Sequence, residues 1–93
     1  MQYVVSDAEG YINVSEVPFS EDSLVSDDAF IIDCSDDLFV WVGKNSTTAE
    51  KRESMQISYR FLEELGRLET TRVHRIKEGQ EHKSEIYLNV FHS

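Results

Sequence analysis

Acidic side chains stand on both sides of one largely apolar part of the chain, residues 27–50. Asp27 and Asp28 precede the apolar run 29–32, and Glu50 follows the next apolar run, where helix-forming residues begin. Calcium prefers several oxygen ligands, including a bidentate carboxylate and main-chain carbonyls. If the start of the helix returns over the start of the strand, the carboxylates of Asp28 and Glu50 would converge with the carbonyl of Asp27. The sequence therefore contains a discontinuous candidate calcium site.

Glu50 also has a simpler interpretation. Thr47 and Glu50 have the spacing of a capping box, in which each side chain bonds the main chain of the other, and spacing alone leaves both roles open. A continuous EF-hand loop starting at Asp33 is excluded, because its sixth position needs glycine and its twelfth needs glutamate. This chain has Leu38 and Lys44 at those positions.

The sequence shows no pattern typical of catalysis. The three histidines do not have the spacing of a metal pair, and the single cysteine, Cys34, has no histidine near it in sequence. The four glycines are too dispersed to form a nucleotide-binding loop. We therefore expect that the protein is not an enzyme.

Composition limits the class of protein and of partner. Ninety-three residues suit one domain, spanning 1–93, and 18 acidic against 9 basic residues give a net charge of −9. Such a surface repels nucleic acid and membranes and favours cations or basic partners, although solubility alone would also explain it. One cysteine, no signal sequence and no apolar run of about 18 residues predict a cytoplasmic protein without a membrane span.

Two apolar runs, residues 29–32 and 38–42, predict a β-hairpin joined by the polar residues 33–37. Neither run alternates between polar and apolar, so both strands should be buried on both faces of a sheet. Residues 3–5, 11–14 and 70–77 are predicted strands, and 20–27 a loop or single helical turn. Residues 85–91 fit a strand or a short helix equally well.

A long amphipathic helix is predicted to begin near Ser46 or Thr47 and to stop at Gly66. One apolar stripe is expected to face the sheet, with two small serines near the middle of the apolar arc that allow close approach. A second apolar flank, bordered by charged residues, is either an exposed partner surface or additional core. The stripe is Ile57, Phe61, Leu65 and Leu68; the serines are Ser54 and Ser58; the flank is Met55, Tyr59 and Leu62, bordered by Arg52 and Glu63.

Three pieces of this pattern together resemble a gelsolin/villin repeat. They are Asp28-Ala29-Phe30-Ile31-Ile32-Asp33, Phe39-Val40-Trp41-Val42-Gly43, and Glu50 seven residues after the glycine. The similarity covers about residues 11–91, and the stretch 15–20 most resembles the second domain of gelsolin. The resemblance implies an α/β (α+β sandwich) fold, with a five-stranded mixed sheet between one long and one short helix.

The resemblance also implies ligands and a partner. Calcium would be held by the side chains of Asp28 and Glu50 and the carbonyl of Asp27, where glycine is usual in the family. Actin would be contacted by the long helix or its neighbouring loops. The apolar flank and its charged border then supply the predicted contact residues, which are Arg52, Met55, Tyr59, Leu62 and Glu63. The basic phosphoinositide-binding stretches of the family have no counterpart here, which agrees with the absence of a membrane partner.

Two functions follow from the resemblance. The first is a calcium-regulated actin-binding module that acts as a monomer and modulates actin assembly, by sequestering monomers, by binding filament sides or as part of a capping or severing protein. The alternative is a gelsolin-like interaction or structural module that does not bind actin, since fold alone does not fix function.

Overall fold

The computed structural model describes residues 1–92, which form one five-stranded sheet with a helix on each face. The strands are β1 (Gln2–Ser6), β2 (Asn13–Val17), β3 (Ala29–Cys34), β4 (Asp37–Val42) and β5 (Arg72–Lys77), and the helices are α1 (Thr48–Glu64) and α2 (Glu85–His92). The strand order is β2-β1-β3-β4-β5. All neighbours are antiparallel except β4 and β5, which are parallel, so the predicted mixed sheet is confirmed.

The two central strands are buried on both faces, as their unbroken apolar runs predicted. One face of β3 and β4 packs under α1, where Ile31 and Val40 contact a core that includes Leu62. The other face packs under α2, where Phe30 and Phe39 join a second core around Tyr87. Because successive residues of a strand point to opposite faces, each run fills both cores at once.

The hairpin turn is tighter than predicted. Cys34 pairs with Asp37, so the connection consists of Ser35 and Asp36 alone. Ser35 has a φ of 67°, a left-handed conformation that is uncommon outside glycine. The polar residues at 33, 34 and 37 were predicted to lie in the turn, but they extend the strands, since at its end the hairpin can place polar side chains at partly exposed positions.

Other segments agree with prediction to within a few residues. The strand predicted over 11–14 lies later, over Asn13–Val17, and ends directly before Pro18. Residues 20–27 contain a short 3-10 turn over Glu21–Ser23, in which the Ser20 hydroxyl accepts from the Asp22 N–H at 3.1 Å. The last segment is helical, as the family resemblance implied.

Helix α1 presents a different row of residues to the sheet from the predicted one. Its buried residues are Glu50, Ser54, Ser58 and Leu62, spaced four apart. The two serines lie against the sheet as predicted, while Ile57 and Phe61 are only half-buried beside them. The prediction that Leu62 belongs to an exposed flank is wrong, since its side chain is fully buried.

The expectation that Leu65 and Leu68 face the sheet is also wrong, because the helix ends before them. The N–H groups of Gly66 and Arg67 bond the carbonyls of Glu63 and Leu62 at 3.1 and 2.8 Å, the arrangement of a Schellman motif. Gly66 adopts a φ of 67°, which confirms it as the stop signal. Beyond this point helical spacing no longer applies, and Leu65 and Leu68 are 54% and 44% exposed.

Candidate functional site

Two loops that are far apart in sequence lie against each other at one end of the central strands. The Gly43 N–H donates to the Asp28 carbonyl at 3.2 Å, and the Asn45 N–H donates to the Ser26 carbonyl at 2.9 Å. The buried Ser46 hydroxyl then donates to the Gly43 carbonyl at 2.7 Å. These bonds fix the entry to β3 against the exit from β4, so the first turn of α1 starts beside Asp28.

The contact requires glycine at position 43. A Cβ atom there would lie 2.7 Å from the Asp28 carbonyl oxygen and closer still to the Ser26 carbonyl. Both neighbours are main-chain atoms, so they could move aside only by displacing the loop itself. Glycine therefore permits the close approach of the two backbones on which the site is built.

The first turn of α1 holds Glu50 in a fixed position. The Thr47 hydroxyl accepts from the Glu50 N–H at 3.1 Å, and Oε1 of Glu50 accepts from the Thr47 N–H at 2.8 Å, so the predicted capping box is confirmed. Oε2 of Glu50 accepts from the N–H of Asp7 at 3.1 Å. The Thr47 hydroxyl donates in turn to Oδ2 of Asp7 at 2.7 Å.

Asp7 was not identified from the sequence. Asp7 follows β1 and lies 43 residues before Glu50, so no local spacing in the sequence connects it to the capping box. The strand order brings Asp7 there, because β1 is antiparallel to β3 and ends beside the residue at which β3 begins. The only sequence signal was its place at the end of a predicted strand, which is shared with many other polar residues.

Burial and a neighbouring carboxyl both act on Glu50. Its side chain is 1% exposed, and removal from water raises the pKa of the carboxyl. The carboxyl of Asp28 lies within hydrogen-bonding reach and raises that pKa further, because a hydrogen bond between two carboxyls favours the protonated form of Glu50. The structure thus brings Asp28 and Glu50 together as the sequence predicted, whereas the side chain of Asp27 is exposed.

The donor set suits a hard cation that is also bound by water. Asp28 and Glu50 supply two carboxylates whose mutual repulsion a divalent cation would relieve, and each Glu50 oxygen keeps a lone pair beyond its N–H bond. No group of three or more His, Cys, Asp or Glu side chains within residues 1–92 is arranged to hold a metal. A calcium ion here would therefore need main-chain carbonyls, such as that of Asp27, and water as further ligands.

The surface of α1 that faces away from the sheet carries four of the five residues predicted to contact a partner. Arg52, Tyr59 and Glu63 are exposed, and Met55 is half-buried against the core. Arg52 and Met55 line one groove beside the helix. Residues 55, 59 and 63 are spaced one helical turn apart and therefore share one side of the helix. Leu62 cannot contribute to this surface, because it is buried under the helix.

The histidine of β5 has a structural environment. Nε2 of His74 lies 2.8 Å from Oδ1 of Asp37, and its ring stacks on Phe39 with the centroids 5.0 Å apart. Both ring contacts are with residues of the neighbouring strand.

Comparison with known proteins identifies the fold. The family model for the gelsolin repeat matches residues 11–84. The chain belongs to the gelsolin family. This repeat is 38% identical over 82 residues to gelsolin of Drosophila melanogaster, a match that covers 85% of the chain and 10% of that protein. It is 30% identical over 96 residues to human macrophage-capping protein, covering 96% of the chain and 27% of that protein.

Solved structures agree with the arrangement of sheet and helices. The gelsolin repeat superposes on Thorarchaeota 2DGel3, solved in complex with rabbit actin, with a TM-score of 0.85 and 31% identity, over 97% of this chain and 44% of that one. Thorarchaeota ProGel, also solved with rabbit actin, gives a TM-score of 0.77 at 13% identity, which bears on the fold alone. The expected five-stranded sheet between a long and a short helix is thereby confirmed.

The gelsolin repeat makes up only part of the curated relatives it matches, about a tenth of Drosophila gelsolin and about a quarter of macrophage-capping protein. Whatever those proteins do as whole chains is therefore not carried over here. No helix within residues 1–92 combines the length and apolar character needed to cross a membrane.

Proposed function

We propose that this gelsolin repeat binds actin and that it acts in the cytoplasm with the actin cytoskeleton. We also propose that calcium, bound by the side chains of Asp28 and Glu50 and the carbonyl of Asp27, regulates this binding. The observation that carries the actin part is the match to 2DGel3, which was solved with rabbit actin. That match extends over 97% of this chain at 31% identity, so it involves sequence as well as fold.

The proposed contact is the exposed side of α1. Tyr59 is 46% exposed in the middle of this surface, with Arg52 and Glu63 on either side and Met55 adjoining it. An exposed aromatic residue with a charged rim is typical of residues that dominate the energy of protein interfaces. The helix is rigid, because its N-terminus is capped and its inner row packs on the sheet, so the surface is presented in a fixed shape.

Calcium would act at the start of this same helix. Asp28 belongs to the entry of β3 and Glu50 to the first turn of α1, so an ion between their carboxylates would tie the helix to the sheet. Binding to the folded state alone stabilises that state by mass action, by about 2.7 kcal/mol at a hundredfold excess over the dissociation constant. Calcium would thereby favour the docked position of α1 and of its exposed face.

The test is cosedimentation with filamentous actin, together with pyrene-actin polymerisation, each in calcium and in chelator. We expect binding that is stronger in calcium. Tyr59→Asp should weaken binding by at least about tenfold, since a charge replaces an aromatic anchor. Tyr11→Asp is the matched control, because Tyr11 is 61% exposed and belongs to the connection between β1 and β2 rather than to α1, and this variant should bind as the parent does.

The outcomes separate the parts of the proposal. Binding that is the same in calcium and in chelator would refute regulation but not actin binding. Equal losses in the two tyrosine variants would exclude the α1 face as the contact. A parent that neither sediments with actin nor changes polymerisation in either condition would refute actin binding and favour an interaction module with another partner.

A further inference from the structure

Most of the positive charge of this acidic molecule lies on one side. Six of its nine basic side chains surround the groove between α1 and β5 and the outer edge of β5, and we call this surface the basic face. It consists of Lys44, Lys51, Arg52, Arg75, Lys77 and Lys83. The three remaining basic side chains lie outside this face, and the molecule as a whole carries 18 acidic side chains and a net charge of −9.

The basic face is continuous. Arg75 lines three adjoining hollows, one shared with Lys44, Lys51 and Lys77 and another with Arg52. The third, of about 410 Å³, is lined by the consecutive strand residues 74–77 together with Gln80 and Lys83. A hollow lined by consecutive residues of one strand runs along that strand, which suits an extended ligand rather than a compact one.

The cations of the basic face have few internal partners. Within residues 1–92, Lys44, Lys51, Arg75, Lys77 and Lys83 make no ion pair, and Arg52 makes only a long contact of 3.9 Å to Glu53. By contrast, two arginines outside the face, Arg67 and Arg72, pair with Asp33 and Asp37 at 2.8 and 2.9 Å. The fold therefore pairs two of the three other basic side chains closely, and leaves those of the basic face without a close ion pair.

One carboxylate lies in the basic face, but it is already engaged. Glu78 accepts from the Ser26 hydroxyl at 2.6 Å and from the Lys44 N–H at 2.8 Å, and these bonds hold its pKa below the usual value. It thus stays ionised and fixes the turn after β5 to the loops around Gly43. Its negative charge reduces the local field but leaves the lysine and arginine heads without a direct partner.

The position of β5 adds a second element. It pairs only with β4, so its outer edge is free within the part of the chain that the structure describes. Basic residues on an edge strand can serve simply to prevent edge-to-edge aggregation. That role does not account for Lys44, Lys51 and Arg52, which lie outside β5 and nevertheless extend the same charged surface.

We propose that the basic face binds an acidic, extended segment of a partner protein along the outer edge of β5. An extended segment can bond the free main-chain groups of the edge while its carboxylates meet Arg75, Lys77 and Lys83. A bilayer presents an extended field of negative charge, which the net charge of −9 on the molecule opposes. A narrow acidic peptide avoids that repulsion, because it can contact the basic face alone.

The test measures binding of a fluorescently labelled ten-residue poly-glutamate peptide by anisotropy, at low and at physiological salt. We expect saturable binding that weakens as salt rises. Arg75→Glu should weaken it by at least about tenfold, because the reversed charge lies where the hollows meet. Arg60→Glu is the matched control, with the same charge change at an exposed site outside the face, and should alter binding by less than about twofold.

Lys77→Glu serves as a second variant, and circular dichroism spectra and melting curves establish that all three variants are folded. The proposal is overturned if the peptide does not bind, or if Arg60→Glu weakens binding as much as Arg75→Glu does. It is also overturned if vesicles containing phosphatidylinositol bisphosphate bind more tightly than the peptide in an Arg75-dependent way, or if Arg75→Glu abolishes self-association of the parent. Actin is absent from every arm, so failure here leaves the proposed function untouched.

Discussion

At Gly43 the main chain of one loop occupies the space that a side chain would need. We expect Gly43→Ala to lower the free energy of unfolding by about 2 to 4 kcal/mol, because the methyl group would clash with the carbonyls of Ser26 and Asp28 and push the loops apart. Urea denaturation measures the change. Gly10→Ala is the control: Gly10 has a φ of 87° but open space around it, so only about 1 to 2 kcal/mol of backbone strain is expected. Equal losses would show that the close approach at Gly43 is unimportant.

Asp28 allows the calcium and capping roles of Glu50 to be separated. We expect Asp28→Asn to unfold in chelator at a temperature no lower than the parent, since the new amide can donate to the Glu50 carboxylate and the repulsion between two acids disappears. The same variant should lose the upward shift in melting temperature that calcium produces in the parent. Differential scanning fluorimetry with calcium and with chelator measures both.

The control for this variant is Asp27→Asn, which keeps the main-chain carbonyl and changes only an exposed side chain. It should retain the calcium shift. A parent without any shift at millimolar calcium would contradict the site, and a shift that survives Asp28→Asn would place the ion elsewhere.

The sequence could predict part of the site at the scale of residues. Thr47 and Glu50 form a local motif with a fixed spacing, and the acidic pair before β3 could be connected to it through the order of strand and helix. Asp7 could not be found in this way, because its bond to Glu50 depends on the pairing of β1 with β3. Local motifs are visible in a sequence, whereas contacts made by sheet topology are visible only in the fold.

At the scale of elements, helix α1 shows why periodicity can predict the wrong face. The predicted stripe was extended through Leu65 to Leu68, past the predicted stop at Gly66, and the Schellman motif there ends the helical spacing before Leu68. The row that faces the sheet instead centres on Ser54 and Ser58, whose small size permits close packing although neither is apolar. A hydrophobicity pattern alone predicts that serine residues are exposed, so the burial of Ser54 and Ser58 can be predicted only from their small size and their position on the helix.

The connection between α1 and β5 is anchored by an ion pair to the hairpin. Arg67 donates to both oxygens of Asp33 at 3.0 and 2.8 Å, and this guanidinium holds the pKa of Asp33 below its usual value. A carboxyl with a lowered pKa in the folded state contributes stability above its unfolded pKa and loses it as the pH falls through the folded value.

We therefore expect the free energies of unfolding of the parent and of Asp33→Asn to differ most near neutral pH and to converge as the pH falls through the lowered pKa of Asp33. The difference at neutral pH should be about 1 to 3 kcal/mol, as for a charge-assisted, partly buried bond. Urea denaturation across this pH range measures it. Asp22→Asn, at an exposed position outside the hairpin, is the control and should follow the parent throughout. Curves for Asp33→Asn that remain parallel to the parent in acid would contradict the assignment.

At the scale of the whole molecule, the sheet with two cores and the clustering of basic side chains on one face have different origins in the sequence. The unbroken apolar runs of β3 and β4 predicted burial on both faces, and this determined where both helices must pack. The net charge was also visible, but the basic face was not, because its cations come from four separate stretches of the chain. Composition gives the sum of the charges, and only the fold gives their distribution.

Protons and calcium should compete for the carboxylate of Glu50, and this competition should change the stability of the whole molecule. Because burial and Asp28 raise the pKa of Glu50 above its value in the unfolded chain, the folded state without calcium binds the proton more tightly. Its stability should therefore fall as the pH rises through the interval between the unfolded and folded pKa values of Glu50. Bound calcium requires both carboxylates to be ionised, so the stabilisation of the folded state by calcium should grow over the same interval.

The difference in melting temperature between calcium and chelator should thus be smallest near about pH 5 and larger near about pH 7.5. Thermal melts of the parent measure this, with Asp28→Asn as the control that should show no difference at either pH. If the rise in melting temperature that calcium causes in the parent does not depend on pH, the ion does not displace a proton from Asp28 and Glu50.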